Sequence, residues 1–340
     1  MQKDFHYYAI AVLARAAGFK PDAALTIAYA SQYVDDATEG EPLKVGDLQF
    51  EPVRTAYAGL KAYSWSVQKK VYIPYHFLPP EPIRTPPARF KTEKADSDGA
   101  FATQLLDVAL SEPDPELRPF RVGVALHTFA DTWAHQGFSG RHHDENDVEA
   151  IDHHKKGKWD HLFWANAYLD FLPKIGHTQA GHYPDQPFLH WRYLNPPADP
   201  KNKVERNNAD EFLEAALVIH QRLSHHLGNA AHQPVAWTGL EADIAGLLAF
   251  EDTDGDTRCE QWAAKFDRWF APGAYRYDEL AWRTEALDPD DATDTDWNHF
   301  EREDFGRLRF KMTPGFYQSP WVRFHRAALL QRHYVLERLL

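Results

Sequence analysis

Residues 124–140 read VALHTFADTWAHQGFSG, an apolar and aromatic run interrupted by His127, Asp131 and His135 at intervals of four. On an α-helix a step of four turns the side chain by about 40°, so all three fall within about 80° of one face. Two imidazoles and a carboxylate on such a helix are costly to bury unless each finds a partner. The chain must therefore expose that face or close further polar groups around it. His-x3-His on successive turns presents two imidazoles to one metal, and a carboxylate between them can bridge to a second ion. The plainer alternative is a His127–Asp131 hydrogen bond on a half-buried helix, with His135 exposed near its end.

The supply of partners depends on composition. The 340 residues include 19 His and one cysteine, Cys259. A single thiol excludes an internal disulfide framework and thiolate-rich zinc knuckles, so any metal here is held by nitrogen and oxygen. With 44% hydrophobic and 14% aromatic residues the chain folds as a globule with a sizeable core. Its net charge of -13 argues against broad attraction to phosphate backbones, and tight double-stranded nucleic acid binding is not expected. The N-terminal apolar stretch is interrupted by Asp4, His6 and Arg15 and is followed by no small-residue cleavage site. No later run approaches a membrane span. The expectation is a soluble, cytoplasmic chain without a Sec signal, with a non-Sec export route and the oligomeric state left open.

Helical signals place the other polar residues. A first helix runs from a cap at Asp4 to a stop at Gly18, with His6 in its first turn. A second starts at Pro21-Asp22 and ends near Gly40, putting Asp35 and Asp36 in its last turn, where the helix dipole disfavours negative charge. KKVYIPYHFLPP reads as extended, with His76 between aromatics, and residues 79–100 as a long loop. Residues 139–160 read as a polar loop or exposed helix. GHTQAGHYPD is a turn-rich loop that could direct His177, His182 and Asp185 inward together. Residues 208–228, 239–250, 258–270 and 320–340 show helical periodicity. The expected architecture is mainly α, with long irregular loops and little β structure. It divides into a metal-binding helical domain over 1–235 and a C-terminal helical extension over 236–340, packed on the same globule.

His-x3-Asp on a helix, preceded by an N-terminal His and a helix-end Asp, resembles the superfamily of zinc-dependent phospholipase C and single-strand nucleases. HTFADTWAHQGF is similar to the His-x3-Asp-x2-Ala-His form of heterokaryon-incompatibility C proteins. DFHYYAIAVLARAAGF, SQYVDDATEG, PYHFLP and GHYPD together resemble an uncharacterised bacterial family related to that superfamily. The resemblance implies an all-helical fold binding two or three zinc ions, with Asp131 bridging two of them. It assigns His127 and Asp131 to the central motif, His6 to the N-terminal ligand, Asp35 or Asp36 to the early carboxylate and His76 to the second imidazole of the first metal. His135, His177, His182 and Asp185 fit the remaining metal by type more than by spacing. Superfamily members with an N-terminal amine ligand depend on removal of a leader, which is not recognisable here.

The expected activity is metal-dependent hydrolysis of phosphoester bonds, phospholipase C-like or as a phosphodiesterase. Asp131 would bridge metals, and whichever of Asp35 and Asp36 is not a ligand would orient or deprotonate the water. Manganese or iron also suits an N/O ligand set. The substrate would be a phosphate ester or phospholipid, with Phe129, Trp133 and Phe138 as a lipid-facing rim unless they are core, and Trp133, Trp159 and Trp164 as stacking aromatics. The alternative from another class is a non-catalytic, metal-stabilised protein acting by membrane or protein association. Asp252, Asp254, Asp256 and Glu260 imitate a calcium loop, but Gly255 and Ala263 stand where an EF-hand needs other residues, and the stretch reads as an acidic turn.

Overall fold

Two helices with small residues where they meet form the centre of the molecule. The computed structural model describes residues 1–40, 42–45, 47–57, 60–82, 89–161, 172–197, 199–289 and 309–339. Helix α1 (Ile10–Ala17) continues a π-helical turn over Asp4–Ala9 and ends at Gly18, whose φ of 112° suits a residue without a Cβ. Helix α2 (Pro21–Asp36) starts on its proline. Next come α3 (Trp65–Val67), a π-helical turn over Gln68–Tyr72, α4 (Ile73–Tyr75), α5 (Phe101–Leu110) and the long, almost wholly buried α6 (Arg118–Ala134).

Helices α2 and α6 run side by side in the same direction. A Cβ on Gly123 would lie 2.2 Å from the Ile27 carbonyl and 2.6 Å from the Ala30 Cβ, so glycine alone permits this approach. Eight residues further along each helix stand Asp35 and Asp131. Around the pair pack α7 (Asn208–Leu227), α8 (Glu241–Leu248), α9 (Gly255–Phe266), α10 (Ala281–Ala286) and α11 (Pro320–Leu339). Asp4, expected as a helix cap, instead forms a buried ion pair with Arg258 of α9 at 2.6 Å.

The expectation of a mainly α fold with little β structure is overturned by two four-stranded sheets. The first has the order β4-β3-β5-β6, all antiparallel, from Glu149–Lys155 (β3), Lys158–His161 (β4), His190–Leu194 (β5) and Lys203–Asn207 (β6). Residues 149–160 fall in the stretch expected to be a polar loop or exposed helix because its side chains are polar; the signal lies in the turn. Lys156 and Gly157 both take positive φ, 49° and 77°, as a two-residue hairpin turn requires. The second sheet, β2-β1-β8-β7, joins Leu43–Val45 (β1) and Leu48–Phe50 (β2) to Leu287–Pro289 (β7) and Arg309–Met312 (β8). Its strands of three or four residues carry no local periodicity, and β1 pairs in parallel with β8 across the length of the chain.

One hydrophobic cluster includes Phe5, Leu126 and Phe129 together with Trp262, Trp282 and Trp321, so it extends on both sides of residue 235. Trp321 donates to the Tyr33 hydroxyl at 3.1 Å, and the Gln331 amide to the Thr128 hydroxyl at 2.8 Å. Phe129, Trp133 and Phe138, the expected rim, are fully buried core residues. Trp159 lies beneath the Arg192 guanidinium, 4.0 Å from it, and Trp164 falls outside the described residues. No helix among the described residues is long and apolar enough to cross a membrane.

Candidate metal centre

The buried face of α6 meets the end of α2, the turn after α4, the N-terminal π-helical turn and the 175–186 loop. His127, Asp131 and His135 are all buried. Residues 69–75, the first part of the stretch expected to be extended, are helical, and this helical run carries His76 inward. Three groups of ligand atoms result: His6, His127 and Asp131; Asp35, His76 and His127; and His135, His177 and Asp185.

Backbone carbonyls fix the imidazoles. His127 Nδ1 lies 2.9 Å from the Ser31 carbonyl, His76 Nε2 2.9 Å from that of Thr55, His135 Nδ1 2.8 Å from that of His76, and His177 Nδ1 2.8 Å from that of Gly181. A carbonyl only accepts, so each of these nitrogens carries the ring proton. In a neutral ring the other nitrogen is then a bare lone pair, the state a metal ligand requires.

Those second nitrogens face acceptors. His127 Nε2 lies 3.1 Å from His76 Nδ1, 3.2 Å from Asp131 Oδ2 and 3.6 Å from Asp35 Oδ1. His76 Nδ1 is 3.4 Å from Asp131 Oδ2 and 3.8 Å from Asp35 Oδ1. Across the centre, His135 Nε2 is 3.0 Å from Asp185 Oδ1 and His177 Nε2 is 3.4 Å from Asp185 Oδ2. Acceptors at such distances repel unless a proton or a metal ion lies between them. Two ligand atoms each about 2.1 Å from a tetrahedral zinc stand about 3.4 Å apart, so the spacing suits one shared ion.

His6 completes the floor, its ring stacked on His127 at 3.9 Å and its Nε2 3.1 Å from Asp131 Oδ1. Its Nδ1 has no hydrogen-bond partner among the described residues. Asp131 thus divides its oxygens, Oδ1 toward His6 and Oδ2 toward His127 and His76, as a bridging carboxylate would. The Met1 α-amino group lies 2.7 Å from Asp131 Oδ1 and 3.2 Å from Asp185 Oδ1. Sequence reasoning raises an N-terminal amine ligand through the resemblance and leaves it out because no removable leader is recognisable.

The electrostatics follow from enclosure. Burial pushes His6 and His177 down to about 4 and His127 well below the usual imidazole range, so these rings are neutral at pH 7. Burial alone would raise Asp131, but His135, the Met1 ammonium and His127 bring it well below the ordinary carboxylate range. Burial would likewise lower the Met1 amine, and Asp131, Asp185 and Asp35 reverse this to about 11. Enclosure pushes Asp35 up to about 8 against the pull of His76. The carboxylates outnumber the one ammonium among them.

Two of the expected site residues point elsewhere. Asp36 accepts a very short hydrogen bond from the Tyr277 hydroxyl and one of 3.2 Å from the Gln32 amide. His182 is exposed and stacks on Tyr183. Asp35, with 34% of its side chain exposed, opens instead on a cavity of about 220 Å³ walled by Ala56, Tyr57, Tyr72 and Phe77. These wall residues and the orienting carbonyls carried no sequence signal, because every residue has a carbonyl and aromatic residues are common in cores. The acidic 252–260 stretch serves as a helix start, where Asp254 accepts from the amides of Asp256 and Thr257.

Comparison with curated proteins and with solved structures finds no match for the chain. A family model matches residues 1–339, and the chain belongs to that family, a family of unknown function (DUF6765).

Proposed function

We propose that the protein is a metal-dependent hydrolase of phosphoester bonds, with zinc as the metal and His6, Asp35, His76, His127, Asp131, His135, His177 and Asp185 as its ligands. The observation that carries this reading is the convergence of ligand atoms: carbonyls hold four rings with their remaining nitrogens aimed at carboxylates. When bound, two or three zinc ions supply an activated water and neutralise charge on a phosphate. The protein's own part is positional. Asp131 divides its oxygens between two positions, and Asp35, on the cavity side, would hold its metal where an attacking water can reach it. Tyr57, Tyr72 and Phe77 narrow the approach and limit bulk water. The opening at Asp35 favours catalysis over a closed structural site.

The test is metal content per chain by mass spectrometry on untagged protein, with hydrolysis of bis(p-nitrophenyl) phosphate and of short-chain phosphatidylcholine measured in parallel. Two or more zinc ions should be present, and Asp131→Asn should lose both metal and activity. A metal-free parent that stays folded and takes up no added zinc would remove the reading. Bound metal needed for folding, without hydrolysis of any phosphoester, would assign a non-catalytic role.

A further inference from the structure

The helical run that delivers Tyr72 and His76 to the centre begins at the surface with an unusual set of side chains. Tyr63 and Trp65 are 49% and 48% exposed, whereas the aromatic residues around α6 are core. They are held firmly. The Gln68 amide donates to the carbonyls of Ala62 (3.2 Å) and Tyr63 (3.0 Å), and the Ser64 hydroxyl caps the helix by accepting from the Val67 amide at 3.3 Å. Lys61 and Lys70 are exposed and Lys69 is half-buried. None of the three lysines forms an ion pair among the described residues. In a chain of net charge -13 this is a local reversal of sign. Trp65 precedes Tyr72 by seven residues, roughly 10 Å of helix, and Tyr72 lines the cavity over the metal centre.

We propose that this platform docks the protein on an anionic lipid bilayer. Trp65 and Tyr63 would enter the headgroup layer, and Lys61, Lys69 and Lys70 would face lipid phosphates. Amphipathic Trp and Tyr rings prefer the membrane–water boundary, and each lysine near an anionic surface strengthens binding on the order of fivefold. The charge pattern sets the orientation, because an anionic surface repels most of this protein and attracts this patch. Single-stranded nucleic acid fits less well, since it calls for a basic groove that tracks successive nucleotides with stacked aromatics. Docked this way, Tyr72 of the cavity wall would lie roughly 10 Å of helix from the surface that would supply a phospholipid; that consequence rests on the hydrolase reading, while the docking itself does not.

The full chain is sedimented with vesicles of phosphatidylcholine alone and of phosphatidylcholine with one-quarter phosphatidylglycerol. The parent should bind the anionic vesicles at least tenfold more tightly. Tyr63→Ser with Trp65→Ser, and separately Lys61→Glu with Lys69→Glu and Lys70→Glu, should each weaken that binding at least tenfold while keeping the parent's metal content and far-ultraviolet circular dichroism. Equal partitioning of parent and variants overturns the proposal. So does a parent that ignores the anionic vesicles, or one that binds oligothymidylate through the same residues in their place. Vesicle binding retained in Asp131→Asn, with no hydrolysis in the parent, would end the hydrolase reading and leave the docking surface standing.

Discussion

Asp35 and Asp36 are adjacent, identical in type and opposite in surroundings. The first lies 3.6 Å from His127 Nε2, and the second is tied to Tyr277 and Gln32. Asp35→Asn should therefore cost at least one metal ion per chain. Asp36→Ala should leave metal content unchanged and lower stability by about 1–3 kcal/mol, because it strips a partner from the Tyr277 hydroxyl. Metal analysis together with urea unfolding of both variants checks this, and equal metal loss in the two would refute the assignment. Sequence reasoning reached the pair and could not divide it, since a helix end rotates successive residues by about 100° and the partner of Asp36 lies 241 positions away. Histidine spacing placed His127, Asp131 and His135 on one face, and the structure gathers His6, His76, His177 and Asp185 around them. It leaves His182 outside, because local turn geometry decides which loop histidine faces inward.

At the scale of elements, the contact between α2 and α6 sets the distance between Asp35 and Asp131. Ile27 meets Gly123, and each carboxylate stands eight residues, about 12 Å of helix, beyond that contact. Gly123→Ala would force the helices apart, since its methyl would lie 2.2 Å from the Ile27 carbonyl. We expect a loss of about 1–3 kcal/mol in urea unfolding, as for other overpacked cores, accompanied by weaker metal retention. A variant as stable as the parent would show that the pair is not locked. Most of the helices were legible from caps and apolar spacing. The sheets were not, because their strands are short or polar and pair across long separations.

For the whole molecule, α11 closes over residues near the start of the chain. His325 is 2% exposed, and its Nδ1 accepts from the Val53 amide at 3.0 Å. Burial pushes this ring down to about 3. Between pH 6.5 and about 3 the unfolded chain takes up a proton that the folded chain refuses, so the contribution of the neutral ring is complete above pH 6.5 and is lost as pH falls. His325→Gln keeps an acceptor for Val53. It should flatten the acid limb of the stability profile by up to about 1.4 kcal/mol per pH unit, measured by urea unfolding at pH 7, 6 and 5. Superimposable pH profiles would refute the argument.

The four carbonyl-anchored imidazoles bear on affinity as well as on geometry. Their rotamers are settled when the chain folds, so an ion arriving at the proposed centre would have little side-chain entropy left to remove, and capture would be correspondingly tighter. The same rigidity would act as a size gauge. A cage that cannot relax its nitrogen and oxygen positions would disfavour a large, oxygen-seeking ion such as calcium, so discrimination among metals would rest with the backbone that holds the rings as much as with the rings themselves.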